Sequence, residues 1–182
     1  WTLHVTDVLL TTLDDNLRVI EQSVGYLRAA GRRVIYDAEH FFDGYKADSR
    51  YALETLEAAI RGGAETVVLC DTNGGTMPWE VEKIIREMKA SIPHPFGIHT
   101  HNDGECAVVN ALLAVREGAV QVQGTINGVG ERCGNANLCS IMANLELKMG
   151  RRCLPEGSLH KLYELSHVVD EVANVTPNDH LP

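Results

Sequence analysis

The feature that most restricts the fold of this sequence is its alternation of short apolar runs with longer amphipathic segments. The amphipathic segments carry apolar residues at the i, i+3, i+4, i+7 spacing of a helix, and they lie at residues 17–27, 53–60, 81–88, 108–115 and 138–145. The apolar runs between them lie at residues 34–36, 67–70, 96–98 and 120–126. Each pair repeats after roughly 30 residues, the size of one βα unit. The alternation therefore predicts parallel strands covered by helices.

Element boundaries follow from the residues at the ends of these segments. Residues 3–5 are predicted to form a first strand, so that five strands and five helices precede residue 150. A further helix is expected at residues 158–174. Glycine adopts the left-handed conformation that closes a helix, and the glycines placed to do so are Gly31, Gly62, Gly118 and Gly150.

The last apolar run distinguishes two parallel architectures. Its alternate residues form one polar face, made of Gln121, Gln123, Thr125 and Asn127. An open doubly wound sheet would cover both faces with helices, and the sequence has neither a G-x-G-x-x-G turn nor a P-loop. A polar strand face suits the interior of a barrel. Because a complete (β/α)8 barrel takes about 250 residues, the 182-residue chain is predicted to be a partial TIM (β/α)8 barrel.

Composition excludes several partner classes. The net charge is −9 and no Lys/Arg cluster interrupts it, so nucleic acid and anionic membranes are poor candidates. No apolar run reaches the length of a membrane-spanning helix. The five cysteines include no C-x-x-C pair, which indicates reduced thiols and a cytoplasmic location. No signal peptide is visible, and the chain starts at Trp1, so we expect a fragment of a longer protein.

Polar residues collect at the carboxyl ends of the predicted strands, where parallel α/β folds place their active sites. Residues 37–39 end one strand, residues 71–73 the next, and His99 and His101 the one after. Residues i and i+2 of a strand point the same way, so the two imidazoles face one space. Imidazole suits Zn, Mn, Fe, Co or Ni, and neighbouring oxygen ligands extend the choice to Mg. The pattern favours a metal site.

Several of these residues also have simpler explanations. Asp103 would be well placed to cap a helix at residues 104–117, and Asn135 to cap a helix at residues 136–149. Asp71 would serve as a turn residue at a strand end. Cys133 has no neighbouring histidine in sequence, so an inert role is expected rather than a nucleophilic one.

Four motifs in order carry a family resemblance. They are D-A-E-H-F-F-D-G at residues 37–44, D-T-N-G-G at 71–75, H-T-H-N-D at 99–103 and G-V-G-E-R-C-G-N at 128–135. Together they resemble the 2-isopropylmalate synthase, homocitrate synthase and citramalate synthase family of DRE-TIM metallolyases. The first motif is most similar to the citramalate synthase branch. The resemblance covers nearly the whole chain.

The resemblance implies a Claisen-type condensation of acetyl-CoA with a 2-oxo acid, pyruvate being expected and the 2-isopropylmalate and homocitrate reactions remaining open. A divalent metal ion, which is Mg, Mn, Zn or Co, would hold the oxo acid, with ligands His99, His101 and Asn135. Glu39 and Thr72 match positions that contact the oxo acid. The resemblance places three further residues in the substrate and acyl-CoA neighbourhood or in its supporting loop, namely Asp37, Glu131 and Arg132.

The chain lacks part of the family pattern. The D-x-x-x-R-D-G motif of the first barrel strand is absent, so residues 1–6 are taken as the fourth strand and the chain as strands four to eight. Residues 1–150 then form the carboxyl-terminal part of the barrel, and residues 151–182 begin a helical subdomain. His180 does not sit in the catalytic motif of that subdomain. We expect the isolated chain to be inactive, and its exposed barrel edge to favour a homodimer.

Other barrel enzymes also carry an H-x-H pair. Amidohydrolases have it on the first strand, with more ligands on later strands, and biotin-dependent carboxyltransferases add a metal-binding lysine that is missing from the strand ends here. Hydroxymethylglutaryl-CoA lyases, which run the retro-Claisen reaction, place a cysteine well before the asparagine. Here Cys133 lies two residues before Asn135, as in the synthases. The lyase reaction and a non-catalytic metal-binding barrel remain the alternatives.

Overall fold

The computed structural model describes residues 1–177, which form a parallel sheet with helices packed on one face. The strands are β1 (Ile35–Ala38), β2 (Thr66–Asp71), β3 (Phe96–Thr100) and β4 (Gln121–Gln123). The helices are α1 (Leu13–Ala29), α2 (Phe41–Ala47), α3 (Ser49–Gly62), α4 (Pro78–Ser91), α5 (Ala107–Arg116), α6 (Leu138–Leu147) and α7 (Lys161–Ala173). The last residues, 178–182, lie outside the described part, and with them His180 and the end of the predicted subdomain.

The four strands lie side by side in sequence order, and every neighbouring pair is parallel. A helix connects each strand to the next, as a parallel crossover requires. The register aligns Asp37 with Val68, Leu69 with Ile98, and His99 with Gln123. This order of strands and helices confirms the predicted α/β fold.

The core lies between the helices and the helix-facing side of the sheet. Val67 and Leu69 of β2 and Ile98 of β3 have no exposed surface, and they pack with helix residues such as Leu56 and Ile85. These strand residues are two apart, so they share one face. Burying that face removes these large apolar side chains from water, which is the main stabilising contribution to such a domain.

The opposite face of the sheet is the inner face, and it is open to solvent at β1. Ile35 is 44% exposed, and Asp37 and Glu39 on the same face are also exposed. A closed barrel would surround this face with further strands. The described chain therefore has the form of a partial barrel whose interior side is uncovered.

The predicted first strand is wrong. Residues 4–8 form a π-helix, with His4 and Val5 donating backbone hydrogen bonds to Trp1. Only Val5 is buried in this helix, whereas a strand within a parallel sheet buries residues on both faces. Residues 1–6 are therefore not the fourth barrel strand, and the sheet has four strands rather than five.

The last strand is also shorter than predicted. Strand β4 ends at Gln123, and residues 126–128 form a short 3-10 turn instead of continuing the strand. Asn127 adopts a left-handed conformation there, with φ of 59°. The predicted polar strand face therefore ends at Gln123, and Asn127 does not belong to it.

Three of the four predicted glycine helix ends are confirmed. Gly31, Gly118 and Gly150 all have positive φ angles at or just beyond a helix end. The prediction for Gly62 is wrong, because Gly63 takes the left-handed conformation that closes α3. Gly62 instead lies where α3 crosses α1: a Cβ atom there would sit 2.6 Å from the carbonyl oxygen of Glu21. The predicted helix at residues 158–174 is confirmed by α7.

No helix among residues 1–177 is long and apolar enough to cross a membrane.

The close approach of α1 and α3 generates a stability prediction. Changing Gly62 to alanine should lower the free energy of unfolding by about 1–3 kcal/mol, because the added methyl group forces the helices apart. Gly25 of α1 is the matched control, since its nearest contact for a Cβ is an ordinary 3.9 Å. Gly25→Ala should leave stability equal or raise it by up to ~1 kcal/mol, because alanine favours helix. Urea unfolding of both variants measures the difference. Equal effects would contradict the packing argument.

Candidate functional site

A cleft of about 280 Å³ opens at the carboxyl ends of the strands, close to the lower end of the range for small-molecule sites. Its walls come from the inner face of three strands, each of which contributes two residues, and from the loop after β4. The lining residues are Asp37, Glu39, Cys70, Thr72, His99, His101 and Glu131. The alternation of side chains along a strand explains this set, since each pair is two residues apart. Three predicted groups of strand-end residues therefore meet in one space.

The two histidines of the cleft lie side by side. Their ring centroids are 5.2 Å apart and their planes differ by 22°. His101 is only 8% exposed, and its Nδ1 has no hydrogen-bond partner among the described residues. Burial lowers the pKa of His101, and nearby His99 and Arg132 lower it further. The neutral imidazole that results keeps a lone pair free, as a metal ligand must.

His99 has a polar partner at each ring nitrogen. Its Nδ1 lies 2.7 Å from Oε1 of Gln123, and its Nε2 lies 3.1 Å from Oδ1 of Asn135. Gln123 in turn donates from Nε2 to a carboxylate oxygen of Asp37 at 2.9 Å. Asp37 therefore reaches the histidine through Gln123.

The donor atoms of this site fit a divalent ion in part. His99, His101 and Asn135 offer two imidazoles and one amide oxygen, a set that suits several divalent metals. Nε2 of His99 and Oδ1 of Asn135 lie 3.1 Å apart, so these two donor atoms would be able to hold the same ion. Within residues 1–177, however, no three His, Cys, Asp or Glu side chains are grouped for metal binding. Any further ligands must come from water, substrate or other protein segments.

Glu39 and Thr72 face the same cleft from β1 and β2. The side chain of Glu39 is 77% exposed and projects into the open space. Thr72 accepts a hydrogen bond at Oγ1 from the backbone N–H of His40, at 2.8 Å. His40 has a left-handed conformation with φ of 57°, which turns its N–H toward β2. The hydroxyl hydrogen of Thr72 is left available for another acceptor.

Cys70 lies deep in the cleft between Asp37 and Thr72. Burial raises the pKa of its thiol, and the carboxylates of Asp37 and Glu39 raise it further. The thiol therefore stays protonated, which makes it neither a thiolate ligand nor a nucleophile.

Arg132 attaches the loop after β4 to the ends of β2 and β3. Its guanidinium donates two hydrogen bonds to the Asp103 carboxylate, at 2.8 and 3.1 Å, and one to the carbonyl of Thr72 at 2.6 Å. It also donates to Glu131 at 2.8 Å. Such a bidentate pair fixes geometry as well as charge. Arg132 therefore supports the loop rather than facing the cleft, while Glu131 lines the cleft edge.

The glycines of this loop are required by its close packing. A Cβ on Gly130 would lie 2.2 Å from the side-chain nitrogen Nδ2 of Asn135. A Cβ on Gly134 would lie 2.2 Å from the backbone carbonyl oxygen of Gly128. Gly134 also has a φ of 90°. The chain can thus fold back so that Asn135 pairs with His101 in an isolated β-bridge.

Of three polar residues with a possible cap or turn role, only Asp71 has that role in the structure. Asp103 binds Arg132 and does not cap α5, whose N-terminal residue Ala107 donates instead to the side chain of Asn102. Asn135 is not a helix cap either, because Asn137 caps α6. The turn explanation holds for Asp71, which accepts hydrogen bonds from the hydroxyl and N–H of Thr76.

Two residues of the site region were not singled out for these roles by sequence reasoning. Gln123 was recognised only as part of a polar strand face, yet it links Asp37 to His99. Asn127 was assigned to the same face, yet its side chain binds helix α7 through Ser166 and Asp170. The alternation of polar residues in residues 121–127 was the available signal, but it did not specify the partners.

Comparison with known proteins agrees with the fold. The family model described as HMGL-like matches residues 2–169. An (R)-citramalate synthase of Geobacter sulfurreducens is 59% identical over 180 residues, which cover 99% of this chain and 34% of that protein. An (R)-citramalate synthase of Aquifex aeolicus is 55% identical over 183 residues, covering 100% of this chain and 35% of that protein. The chain thus spans about a third of the length of these curated relatives.

Among solved structures, the HMG-CoA lyase of Bacillus subtilis superposes with a TM-score of 0.80 at 21% sequence identity. The match covers 97% of this chain and 62% of that one. At this identity the likeness concerns the fold, and it confirms a partial barrel of the TIM type.

The Arg132 contact yields a prediction about the loop and pH. Its guanidinium lowers the pKa of Asp103, so the pair contributes stability above the unfolded-state pKa of the carboxyl group and loses it as pH falls through the lower folded-state pKa. Arg132→Gln should return the Asp103 pKa upward toward its ordinary value, and should speed amide exchange in residues 128–135. Carbon-13 NMR of the carboxyl group and hydrogen exchange measure both effects. Arg18→Gln, on an exposed helix face, is the control and should change neither.

Proposed function

This chain belongs to the HMGL-like family, and on that premise we propose that it is part of a metal-dependent synthase that condenses acetyl-CoA with a 2-oxo acid. The observation that carries the proposal is the convergence of His99, His101, Glu39 and Thr72 on one cleft. Pyruvate is the proposed oxo acid, giving citramalate. The identity of 59% and 55% to two (R)-citramalate synthases supports that choice.

The activity is proposed for a longer protein that contains this chain. The relatives are about three times as long as the matched region, and four strands are half of an eight-stranded barrel. In this proposal residues 1–150 are part of the catalytic barrel, and residues 151–182 begin a following helical subdomain. Acetyl-CoA and the oxo acid are the partners, and a homodimer is the proposed assembly.

His99, His101 and Asn135 are proposed to hold a divalent ion, which is Mg, Mn, Zn or Co. When bound, such an ion supplies Lewis-acid chemistry that polarises a keto group and stabilises the negative charge developing on its oxygen. The side chains contribute the rest. His101 is held neutral by burial, and Asn135 is placed by the folded loop beside it.

Thr72 and Glu39 are proposed to bind the oxo acid. Because Oγ1 of Thr72 already accepts the N–H of His40, its own O–H is directed to a further acceptor, such as an oxygen of the oxo acid. Glu39 lines the same cleft, and because pyruvate has no hydrogen-bond donor its carboxylate would contact the oxo acid through a bridging water molecule. The two groups would orient the keto carbon toward the attacking carbon, and such positioning is a large part of catalysis.

The substrate proposal is tested with the full-length protein that contains this chain. Acetyl-CoA would be supplied with pyruvate, 2-oxoisovalerate or 2-oxoglutarate and a divalent ion, and release of free CoA measured. We expect the highest kcat/KM with pyruvate, and no release by the isolated 182-residue chain. Absence of CoA release with all three acids would refute the synthase proposal. Cleavage of a hydroxyacyl-CoA thioester instead would support the lyase reaction.

The Thr72 proposal is tested by substitution in the same full-length protein. Thr72→Val keeps the size of the side chain and removes the hydroxyl group. Losing a hydrogen bond to a charged substrate group costs about 1.5–3 kcal/mol, so kcat/KM for the oxo acid should fall roughly 10- to 100-fold. Thr72→Ser keeps the hydroxyl and is the matched control, with activity near that of the unchanged protein. A loss in Thr72→Ser with full activity in Thr72→Val would contradict the proposal and show that the methyl group matters rather than the hydroxyl.

A further inference from the structure

Three side chains from three parts of the chain form a hydrogen-bonded path that ends at His99, beside Asn135. Asp37 of β1 accepts from Nε2 of Gln123 of β4 at 2.9 Å. Oε1 of Gln123 lies 2.7 Å from Nδ1 of His99, and Nε2 of His99 lies 3.1 Å from Oδ1 of Asn135. Strand β4 pairs with β3 at His99 itself, so the backbone register holds Gln123 beside the imidazole.

The chemistry of each group fixes the direction of this path. An ionised carboxylate only accepts hydrogen bonds, so Gln123 must turn its NH2 toward Asp37 and its carbonyl toward His99. The reversed amide would place two oxygens against each other at Asp37. Amide oxygens face both ring nitrogens of His99, at 2.7 Å from Nδ1 and 3.1 Å from Nε2, and the shorter contact favours the proton of the neutral ring on Nδ1. A neutral imidazole has one N–H, so Nε2 is left without a proton.

The same logic applies on the other side of the ring. Asn135 donates from Nδ2 to the carbonyl of Val129 at 3.2 Å, which leaves Oδ1 facing Nε2 of His99. Two lone-pair atoms therefore face one space with no proton between them. A cation is the ligand that such a pair attracts, whereas a hydrogen bond would need the other tautomer of His99.

We propose that Gln123 is a positioning residue that holds His99 in the tautomer with hydrogen on Nδ1, so that Nε2 is presented bare to the ion site. Asp37 acts through Gln123 by fixing its amide orientation. The inference deepens the proposed function, since the ion site is the same, but the tautomer is a property of the protein without metal. Outer partners of this kind orient metal-bound histidines in general.

A glutamine suits this position because it both donates and accepts. Leucine would leave the Asp37 carboxylate and the His99 N–H without their partner, and glutamate alone would set two carboxylates at hydrogen-bond distance. Exchanging the carboxylate of residue 37 with the amide of residue 123 preserves the hydrogen bonds from residue 37 to His99. The amide introduced by Asp37→Asn would donate to the carboxylate introduced by Gln123→Glu, and that carboxylate would accept from Nδ1 of His99. The double variant Asp37→Asn with Gln123→Glu is thus a rescue of the same connection.

The tautomer is measured directly on the 182-residue chain labelled with nitrogen-15 histidine. The nitrogen-15 shift of an unprotonated imidazole nitrogen differs strongly from that of a protonated one. Spectra at mildly alkaline pH therefore show which ring nitrogen of His99 carries the hydrogen. His99→Ala identifies its signals. The unchanged chain should show hydrogen on Nδ1 only. Gln123→Leu should shift the ring toward the Nε2–H form, which the Asn135 oxygen accepts, and the double variant should restore the Nδ1–H form.

Affinity for Mn²⁺, followed by electron paramagnetic resonance, gives the second measurement. Gln123→Leu should weaken Mn²⁺ binding about 10- to 100-fold, the usual effect of removing such an outer partner, and the double variant should recover most of it. Gln121→Leu is the control, because Gln121 lies two residues earlier on the same strand and has no side-chain hydrogen bond within residues 1–177. The Mn²⁺ affinity of Gln121→Leu should equal that of the unchanged chain.

The outcomes separate this inference from the proposed function. An unchanged His99 tautomer in Gln123→Leu, or hydrogen on Nε2 in the unchanged chain, would overturn the role of Gln123 whatever reaction the protein performs. Absence of CoA release by the full-length protein would overturn the synthase proposal and leave the tautomer result standing.

Discussion

The parallel register of β1, β2 and β3 is the constraint on which the site depends. The pairing of Asp37 with Val68 and of Cys70 with His99 brings the ends of three strands to one level. Because side chains alternate, a slip of one residue would turn His99 toward the helices and bring Thr100 into the cleft. Thr100 is instead fully buried, with its hydroxyl donating to the carbonyl of Ala107. The apolar contacts of the helix-facing side therefore fix which polar residues meet on the other.

The loop after β4 completes the site by folding back onto the sheet. Its backbone extends the pairing beyond the strands, with Asn102 donating to Gly134 and Ala136 donating to Thr100. The Arg132–Asp103 ion pair then holds the outer part of the loop. Because Asn135 lies at the inner end of this fold, its amide oxygen faces His99. Within residues 131–135, Arg132 thus supports the loop, whereas Asn135 belongs to the site.

Helix α7 is hydrogen-bonded to the same region through Asn127. Asn127 accepts from the hydroxyl of Ser166 at 2.7 Å and donates to the carboxylate of Asp170 at 2.7 Å. Its left-handed backbone directs the chain into the loop. Helix α7 therefore packs against the start of the loop that carries Asn135, and the side chain of Asn127 supplies hydrogen bonds between them.

Although it missed α2 (Phe41–Ala47), the amino-acid sequence alone determined the other six α-helices of residues 1–177, three of the four observed strands within a residue or two, and the pairs of residues that each strand end presents. Those properties follow from periodicity, which depends on local geometry. It did not determine residues 3–5, where a short apolar stretch fits strand and helix equally and only packing decides. Nor did it determine that Asp103 binds Arg132, that Asn137 rather than Asn135 caps α6, or that Gln123 joins Asp37 to His99. Asn and Gln side chains accept many partners, and only the tertiary structure, by bringing distant strands and the loop together, decides which partner lies within hydrogen-bond distance.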